Sequence, residues 1–567
     1  MSVIDLYCID GEKLMMILKL ISSLEKCFLD DDINSKFEYK SGSCLKDEIF
    51  RFGACYYSDS VCRTAVPIKL TVKSEISEHI TVKRVEHVPV KLPVYNNVEN
   101  NDYLRTTPGL FPDALTPLNS HNRLLMGSNL ESLFIEVDTK KIEKAGVYAI
   151  ELSFSNFDDG TFMASSTFDL EIIDCALPEQ KTIYTQWFHC DCLMNYYGTK
   201  AFDEKHWIII ENYLKTAVKN GINMILTPVF TPPLDTYVGG ERPTVQLVDV
   251  IVENGKYSFN FDKLKRWVDL CSKSGIKYFE ISHLFTQWGA LHAPKIIATV
   301  DGNEEKIFGW ETDAAGTEYA EFLREFIPQL LLFLEKEKID SKTYFHISDE
   351  PTMECIENYT AARSIIAPLI KGRKIIDAIS NYELYETNAG LSPIPATEHI
   401  KPFIKNGVPD LWTYYACDQH SGYSNRFISM PSYRNRIIGI QMYKYGIKGF
   451  LHWGYNFYNS QFSYAQLNPY LSTDGDYFSP AGDAFSVYPA PGGTAYESIR
   501  LAVFHDALQD IRALELCEEL CGREKVMEMV EEGCTLTFDE YPRTENYILE
   551  LRKKINMEIK EKIALKN

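Results

Sequence analysis

From residue 182 onward the chain repeats one rhythm: a short apolar run, then a longer pattern with helical spacing. TIYTQWFHCD precedes HWIIIENYLKTAVKN, and INMILTP precedes FDKLKRWVDLCSKS. IKYFEISH precedes YAEFLREFIPQLLLFLEKE, and YFHISDE precedes IENYTAARSIIAPLI. KIIDAIS, DLWTYYAC, IKGFLHWG and AFSVYP follow, which makes eight strand candidates. Strands alternating with helices point to a parallel sheet. Eight such units predict a (β/α)8 barrel over residues 181–567, closed by C-terminal helices such as SIRLAVFHDALQDIRALELCEEL. An open doubly wound sheet is the structural alternative. Three connections are long, roughly 227–258, 284–314 and 454–484. All follow strands, so in a barrel they gather at the C-terminal face, where long loops carry function.

Before about residue 180 the period is two. Tyr148, Ile150, Leu152 and Phe154 alternate with smaller or polar residues. Asp159-Gly160 offers a tight turn, and Phe168, Leu170 and Ile172 resume the alternation. That is a hairpin signal. ITVKRVEHVPVKLPVY reads as strand, with its prolines at an edge. Residues 1–180 are therefore expected to form a β-sandwich, although KLMMILKLISSLEKCF also fits a helix.

A chain of 567 residues exceeds what one core holds, about 250–300 residues, so two domains are expected. A net charge of −21 without a basic face argues against a nucleic-acid partner. No apolar run approaches the roughly 18 residues of a membrane span. MSVIDLYCIDGEKLMM lacks a basic segment followed by an apolar one, so no signal peptide is read. The 14 scattered cysteines then suit reduced thiols and a cytoplasmic location.

The chemistry centres on YFHISDEP, residues 344–351. A regular strand sends Asp349 and Glu350 to opposite sides. His346, Ser348 and Glu350 share the parity expected for the barrel interior, and Phe345 and Ile347 the one facing the helices. A charge among helices is costly, so Asp349 needs the strand to break, and Pro351 fits a break. Both acids then converge on the open end. Two carboxylates that close do not ionise equally, and the raised one suits a general acid.

Neighbouring strand ends supply a setting. In QWFHCDC, strand alternation puts Trp187, His189 and Asp191 on one face and Cys190 and Cys192 on the other. That splits the ligands of a His-Cys-Asp-Cys metal site. Trp288, Trp412, Tyr414, Tyr415, Trp453 and Tyr455 also fall at or just past strand ends, and aromatic faces suit sugar rings. A two-carboxylate retaining glycosidase needs a nucleophile on another strand. The seventh candidate and its loop, Gly449 to Thr473, hold no Asp or Glu. Asp377, Glu280 and Asp418 remain as distant partners. An adjacent pair without such a partner points to a substrate that supplies its own nucleophile, as a 2-acetamido sugar does.

QWFHCDCLMNYY, LTPVFTPPLDTYVGGERPTVQLV, YFEISHLFTQWGA, HISDEP, LWTYYAC, NRFISMPSYRNRIIGIQMYKYGIKGFLHWGYNFYNS and GDAFSVYP, from about 184 to about 512, resemble glycoside hydrolase family 123, the β-N-acetylgalactosaminidases. The resemblance implies a β-sandwich followed by a (β/α)8 barrel. It implies exo-acting, retaining hydrolysis of terminal β-linked GalNAc on a glycolipid or oligosaccharide, through an oxazolinium intermediate, without metal or cofactor. It makes Asp349 the group that stabilises the acetamido and Glu350 the general acid, then base. Trp187, His189, Asp191, Tyr414, Tyr415, Trp453 and Tyr455 become sugar contacts, and Trp288 joins them by its place at a strand end. Three rivals stand beside this reading. One is a β-N-acetylglucosaminidase, and another a non-catalytic carbohydrate-binding protein on the same barrel. The third is a metal-dependent hydrolase using His189, Asp191 and His346. The charged C-terminal helices offer a surface for a homodimer.

Overall fold

The computed structural model describes residues 16–58, 65–95, 102–388 and 390–565. Met1 to Met15, where an export signal was sought, lies outside them. The early part of the chain builds two sheets. Phe52, Ile135, Leu152 and Phe168, drawn from both, share one apolar core. The Gly146–Asn156 and Phe162–Ala176 strands form the expected antiparallel hairpin, with Gly160 at φ 74° in its turn. KLMMILKLISS is strand where described: Met16–Ser22 pairs residue by residue with Ile49–Ser58. Its helical spacing yields because an antiparallel partner completes the backbone hydrogen bonds. Pro89 sits in Ile80–Val90, an interior strand of the seven-stranded sheet. It is tolerated because pairing with Glu131–Asp138 ends at Arg84, so only one neighbour flanks the proline.

Beyond residue 182 six parallel strands form one sheet. Their order is Thr343–Phe345, Tyr278–Ile281, Met224–Thr227, Ile183–Gln186, Gly449–His452, Trp412–Tyr414. Two short parallel strands, Ile376–Asp377 and Ser392–Pro393, pair with each other. Parallel bridges tie them to the ends of that sheet, Phe345 to Ile375 and Ala396 to Tyr414. Helices follow the strands: Glu204–Lys219, Asp262–Ser274, Thr317–Lys336, Ile356–Ile370, Ser432–Tyr445 and Ile499–Cys521 are the long ones. Gly449 is required inside the sheet, since a Cβ there would meet the Trp412 ring at 2.1 Å.

The expectation for AFSVYP is overturned. Val487–Ala490 turns through Pro491-Gly492-Gly493 and pairs antiparallel with Thr494–Ser498, which joins Gly109–Pro117 in the seven-stranded sheet. Its apolar run is buried against the first sheet, and the short Ser392–Pro393 strand lies in the parallel series instead. Two of the long loops are also less irregular than their composition implies. Asp249–Glu253 and Lys256–Asn260 from one, and Ile296–Val300 and Asn303–Phe308 from the next, form a shared four-stranded sheet. Among the described residues, twelve cysteines are free and no helix is long and apolar enough to cross a membrane.

Candidate active site

Tyr344 packs into the apolar cluster carried by the parallel strands, with Met224, Trp412 and Leu451. Phe345 and Ile347 pack among the helices. The strand ends at Phe345, well before Pro351, and the break has a cause other than proline. Asp377 Oδ1 accepts from Ile347 N at 3.0 Å, so a side chain replaces the next ladder hydrogen bond. The chain then runs beside the loop after Tyr278–Ile281. Phe285 N donates to Ile347 O (3.1 Å), Ser348 Oγ to Thr286 O (2.7 Å) and Trp288 N to Asp349 O (2.9 Å). Glu350 takes φ 45°, and Trp288 takes φ 58°. This left-handed backbone at non-glycine residues stores strain of about 1–3 kcal/mol each. It lets both acids open on one pocket of about 110 Å³. Asp349 is 7% exposed, whereas Glu350 is exposed to solvent.

Trp187, His189, Trp288, Tyr414 and Trp453 line that pocket with the pair. Asp191, Tyr415 and Tyr455 do not reach it. The Asp191 placement failed because strand parity stops at Gln186 and a helix, Cys190–Tyr197, begins. Asp191 lies in its first turn, buried, with both oxygens held by Arg242 at 2.7 and 2.8 Å. Tyr415 follows Tyr414 and so faces the helices, donating to Asn435 Oδ1 at 2.8 Å. Tyr455 is in the same core, donating to Tyr213 O at 2.9 Å. Trp412, at the start of its strand, is interior core.

The electrostatics separate the groups. Burial, then the neighbouring Glu350 charge, pushes the Asp349 carboxyl well above its usual range, while His346 pulls against them. Gln287 Nε2 donates to Asp349 Oδ2 at 3.3 Å. Desolvation by the pocket walls raises Glu350. The Tyr414 hydroxyl, donating to Oε1 at 2.7 Å, and the Trp288 indole oppose it. Behind the pair, His346 has Asp377 on Nδ1 (3.0 Å) and Glu280 on Nε2 (2.5 Å). Burial works against its charge, yet the two carboxylates raise it to about 9. Glu280 Oε1 also accepts from Trp187 Nε1 at 2.7 Å, which fixes the indole. His189 is held neutral, at about 4, by burial and Arg242, and its Nε2 meets Trp453 O at 3.0 Å.

Glu280 and Asp377 are therefore not free carboxylates. Every oxygen is engaged: Glu280 also takes Thr185 Oγ1 at 2.8 Å, and Asp377 takes Tyr359 OH at 2.6 Å. Asp418 lines the pocket and is exposed. Among the described residues, His283, His346 and Asp377 form a set close enough to hold a metal ion, with ligand atoms within 4.8 Å. A cation there has to displace a ring proton that His346 holds against Asp377 or Glu280. The His189–Asp191–His346 set fares worse, because Arg242 already occupies both Asp191 oxygens.

Sequence reasoning missed Asp235 and Gln287. Gln287 Oε1 accepts from Asp235 N, and its amide reaches Asp349. Asp235 is pocket-lining and nearly buried, its carboxyl pushed up to about 6 by burial. Both lie on long loops without period, so strand parity could not place them; loop length and the family-like stretches that contain them were the signals.

The family profile described as "Glycoside hydrolase 123, catalytic domain" matches residues 187–517, more than half of the chain. The chain is similar to a family 123 glycoside hydrolase from Clostridium perfringens, whose structure concerns glycolipid glycan hydrolysis. The TM-score is 0.73 at 16% identity, over 97% of this chain and 98% of that one. At that identity the likeness speaks to the fold. Ruminococcus gnavus β-glucuronidase (TM-score 0.31, 10% identity, 82% of this chain and 68% of that one) is much more distant. So is Bacteroides uniformis β-glucuronidase (TM-score 0.29, 10% identity, 78% and 47%). Scores that low carry no argument. No curated protein matches the sequence.

Proposed function

Because the chain belongs to glycoside hydrolase family 123, we propose that it is an exo-acting, retaining β-N-acetylgalactosaminidase that uses the substrate's acetamido group as nucleophile. The observation that carries this is the pair itself. Asp349 and Glu350 share one pocket, while the interior acids Glu280 and Asp377 have every oxygen engaged. A terminal β-GalNAc on a glycolipid glycan or oligosaccharide is the proposed substrate. The proposed architecture is a β-sandwich followed by a closed (β/α)8 barrel, supported by the shared core and by the parallel bridges at Phe345 and Ala396.

Both carboxyls are raised, which favours a proton held on the pair. In the empty pocket burial favours it on Asp349. The acetamido N–H reverses that preference, because a hydrogen bond to the charged form favours that form. The proton then belongs on Glu350, at the open side where the aglycone departs. Glu350 gives it to the glycosidic oxygen as the C1–O bond breaks. The acetamido carbonyl oxygen bonds to C1, and the Asp349 carboxylate holds the N–H of the oxazolinium. Water attacks C1 from the vacated face and gives a proton to Glu350 as the oxazolinium opens. Two inversions amount to retention.

Initial rates on the p-nitrophenyl β-glycosides of GalNAc, GlcNAc and galactose, with an EDTA arm, test this. Fast EDTA-insensitive release from GalNAc and none from galactoside is expected. Turnover of the galactoside would sink neighbouring-group participation and make Asp418 the candidate nucleophile. A faster GlcNAc glycoside would correct the C4 preference. Silence on all three would favour a binding protein.

A further inference from the structure

An aromatic path leaves the pocket on the Glu350 side. Trp288, whose indole meets the Glu350 carboxylate, is 41% exposed. Its ring stands edge-on to Phe462, with centroids 5.5 Å apart. Phe462 is 6.1 Å from Tyr464. Tyr464 stacks on Tyr237 at 4.5 Å with an 18° interplanar angle. Tyr464 is 66% exposed and Tyr237 38%. Singly, exposed aromatics need no explanation; a connected row at the rim of the pocket that holds the carboxylate pair does.

The row is built, not incidental. It joins three loops that follow three different strands, and one backbone and two side-chain hydrogen bonds pin two of them together. Tyr237 N donates to Phe462 O (3.1 Å), Phe462 N to Asp235 Oδ1 (3.2 Å) and Ser463 Oγ to Asp235 O (2.7 Å). Asp235 (φ 39°), Trp288 (58°), Phe462 (56°) and Ser463 (58°) all hold left-handed backbone. Strain of that kind persists where surrounding contacts over-determine it. The pocket-lining Asp235 thus sets the position of the rings outside the pocket.

We propose that Trp288, Phe462, Tyr464 and Tyr237 form the aglycone platform, on which the neutral hexose rings of the leaving glycan stack. The proposal rests on the catalytic reading of Glu350: the acid that protonates the leaving oxygen marks the side on which the aglycone lies. Hexose rings present a patch of axial C–H bonds, and aromatic faces bury such patches while ring hydroxyls stay in water. The enzyme is thereby selective for GalNAc carried on further sugars.

Tyr464→Ala and Tyr237→Ala test it. Both side chains stand outside the catalytic pocket and at the surface, so the fold tolerates their loss. Three substrates are compared: an oligosaccharide with terminal β-GalNAc and at least two further hexoses, p-nitrophenyl β-GalNAc, and octyl β-GalNAc. The expected result is a loss of about tenfold in kcat/KM on the oligosaccharide, carried mainly by KM. The aryl glycoside should change less than twofold, and Tyr464→Phe should restore the oligosaccharide. Equal losses on oligosaccharide and aryl glycoside, or no loss on the oligosaccharide, overturn the platform. A loss confined to the octyl glycoside also overturns it, in favour of an acyl-chain site. Wild-type protein inert on all three removes the catalytic reading, and the platform with it.

Discussion

Among the described residues two clusters of charge contrast, one joining the early sheets to the C-terminal helices and one in the pocket. At the junction every charge has its opposite. Arg51, fully buried, meets Glu136 (3.0 Å) and Asp506 (2.5 Å). Lys83 and Lys219 both reach Glu136, at 2.6 and 2.8 Å, and both also reach Glu497. Arg436 and Arg552 share Asp510 at 2.7 and 2.9 Å. Burial pushes Glu136 up, but Lys83, Arg51 and Lys219 overcome it and hold the carboxyl well below its usual range. In the pocket, neutral donors meet Asp349 and Glu350: Gln287, Tyr414 and Trp288. There burial wins, and both carboxyls rise. Desolvation is overcome at Glu136, where three cations converge, but not at Asp506, where Arg51 leaves the carboxyl raised, nor in the pocket.

The largest effect should come from erasing the unanswered charges. Asp349→Asn is expected to lower kcat/KM by about 10³-fold or more on every GalNAc substrate. Glu350→Gln should lose about 10²–10⁴-fold on oligosaccharides and much less on aryl glycosides, whose leaving group needs little protonation. If Asp349→Asn keeps wild-type rates, Asp349 does not have the role proposed for it. Breaking the answered charges should act on stability instead. Arg51→Ala takes from Asp506 its partner at 2.5 Å, leaving Arg436 at 4.0 Å, and should cost about 3–5 kcal/mol in denaturant unfolding, with KM for the aryl glycoside unchanged in the folded fraction. A stability loss below about 1 kcal/mol would show that the junction is not held by this pair.

A smaller effect probes the boundary between the clusters, because His346 is an answered charge standing behind unanswered ones. Its folded value is raised to about 9 from 6.5. A raised base contributes its full stability below pH 6.5 and loses it as pH rises through 9. The wild-type Tm should therefore fall between pH 6.5 and 9.5 by a step that His346→Gln lacks, read by scanning calorimetry. Parallel curves for the two proteins would mean that His346 is not charged in the fold.

The alternating apolar runs made the parallel strands legible, because a strand buried on both faces must be apolar throughout. Parity sent Phe345 and Ile347 toward the helices, and both pack in the core cluster that the helices share. Parity failed at Asp191, since a helix starts four residues after the strand's last residue and turns its side chains on a different period. It failed for AFSVYP because an apolar run records burial and not the sheet that does the burying. Tyr415 and Tyr455 were grouped with Tyr414 and Trp453 by position alone, yet Tyr415, the next residue after Tyr414, faces the other way, and Tyr455 lies beyond the strand that ends at His452, where alternation no longer holds.

The residues by themselves determined the rhythm of strands and helices, the early hairpin and the adjacent acids at the end of an apolar run. These are local properties, written in spacing and in residue type. Only the tertiary structure decided that Asp377 ends the strand before the pair. It alone decided that Arg242 neutralises Asp191, that Glu280 and Asp377 are engaged, and that loops far apart in sequence set a row of aromatic rings beside Glu350. Those outcomes depend on partners brought together from distant positions, and no spacing along the chain records who a side chain's partner is.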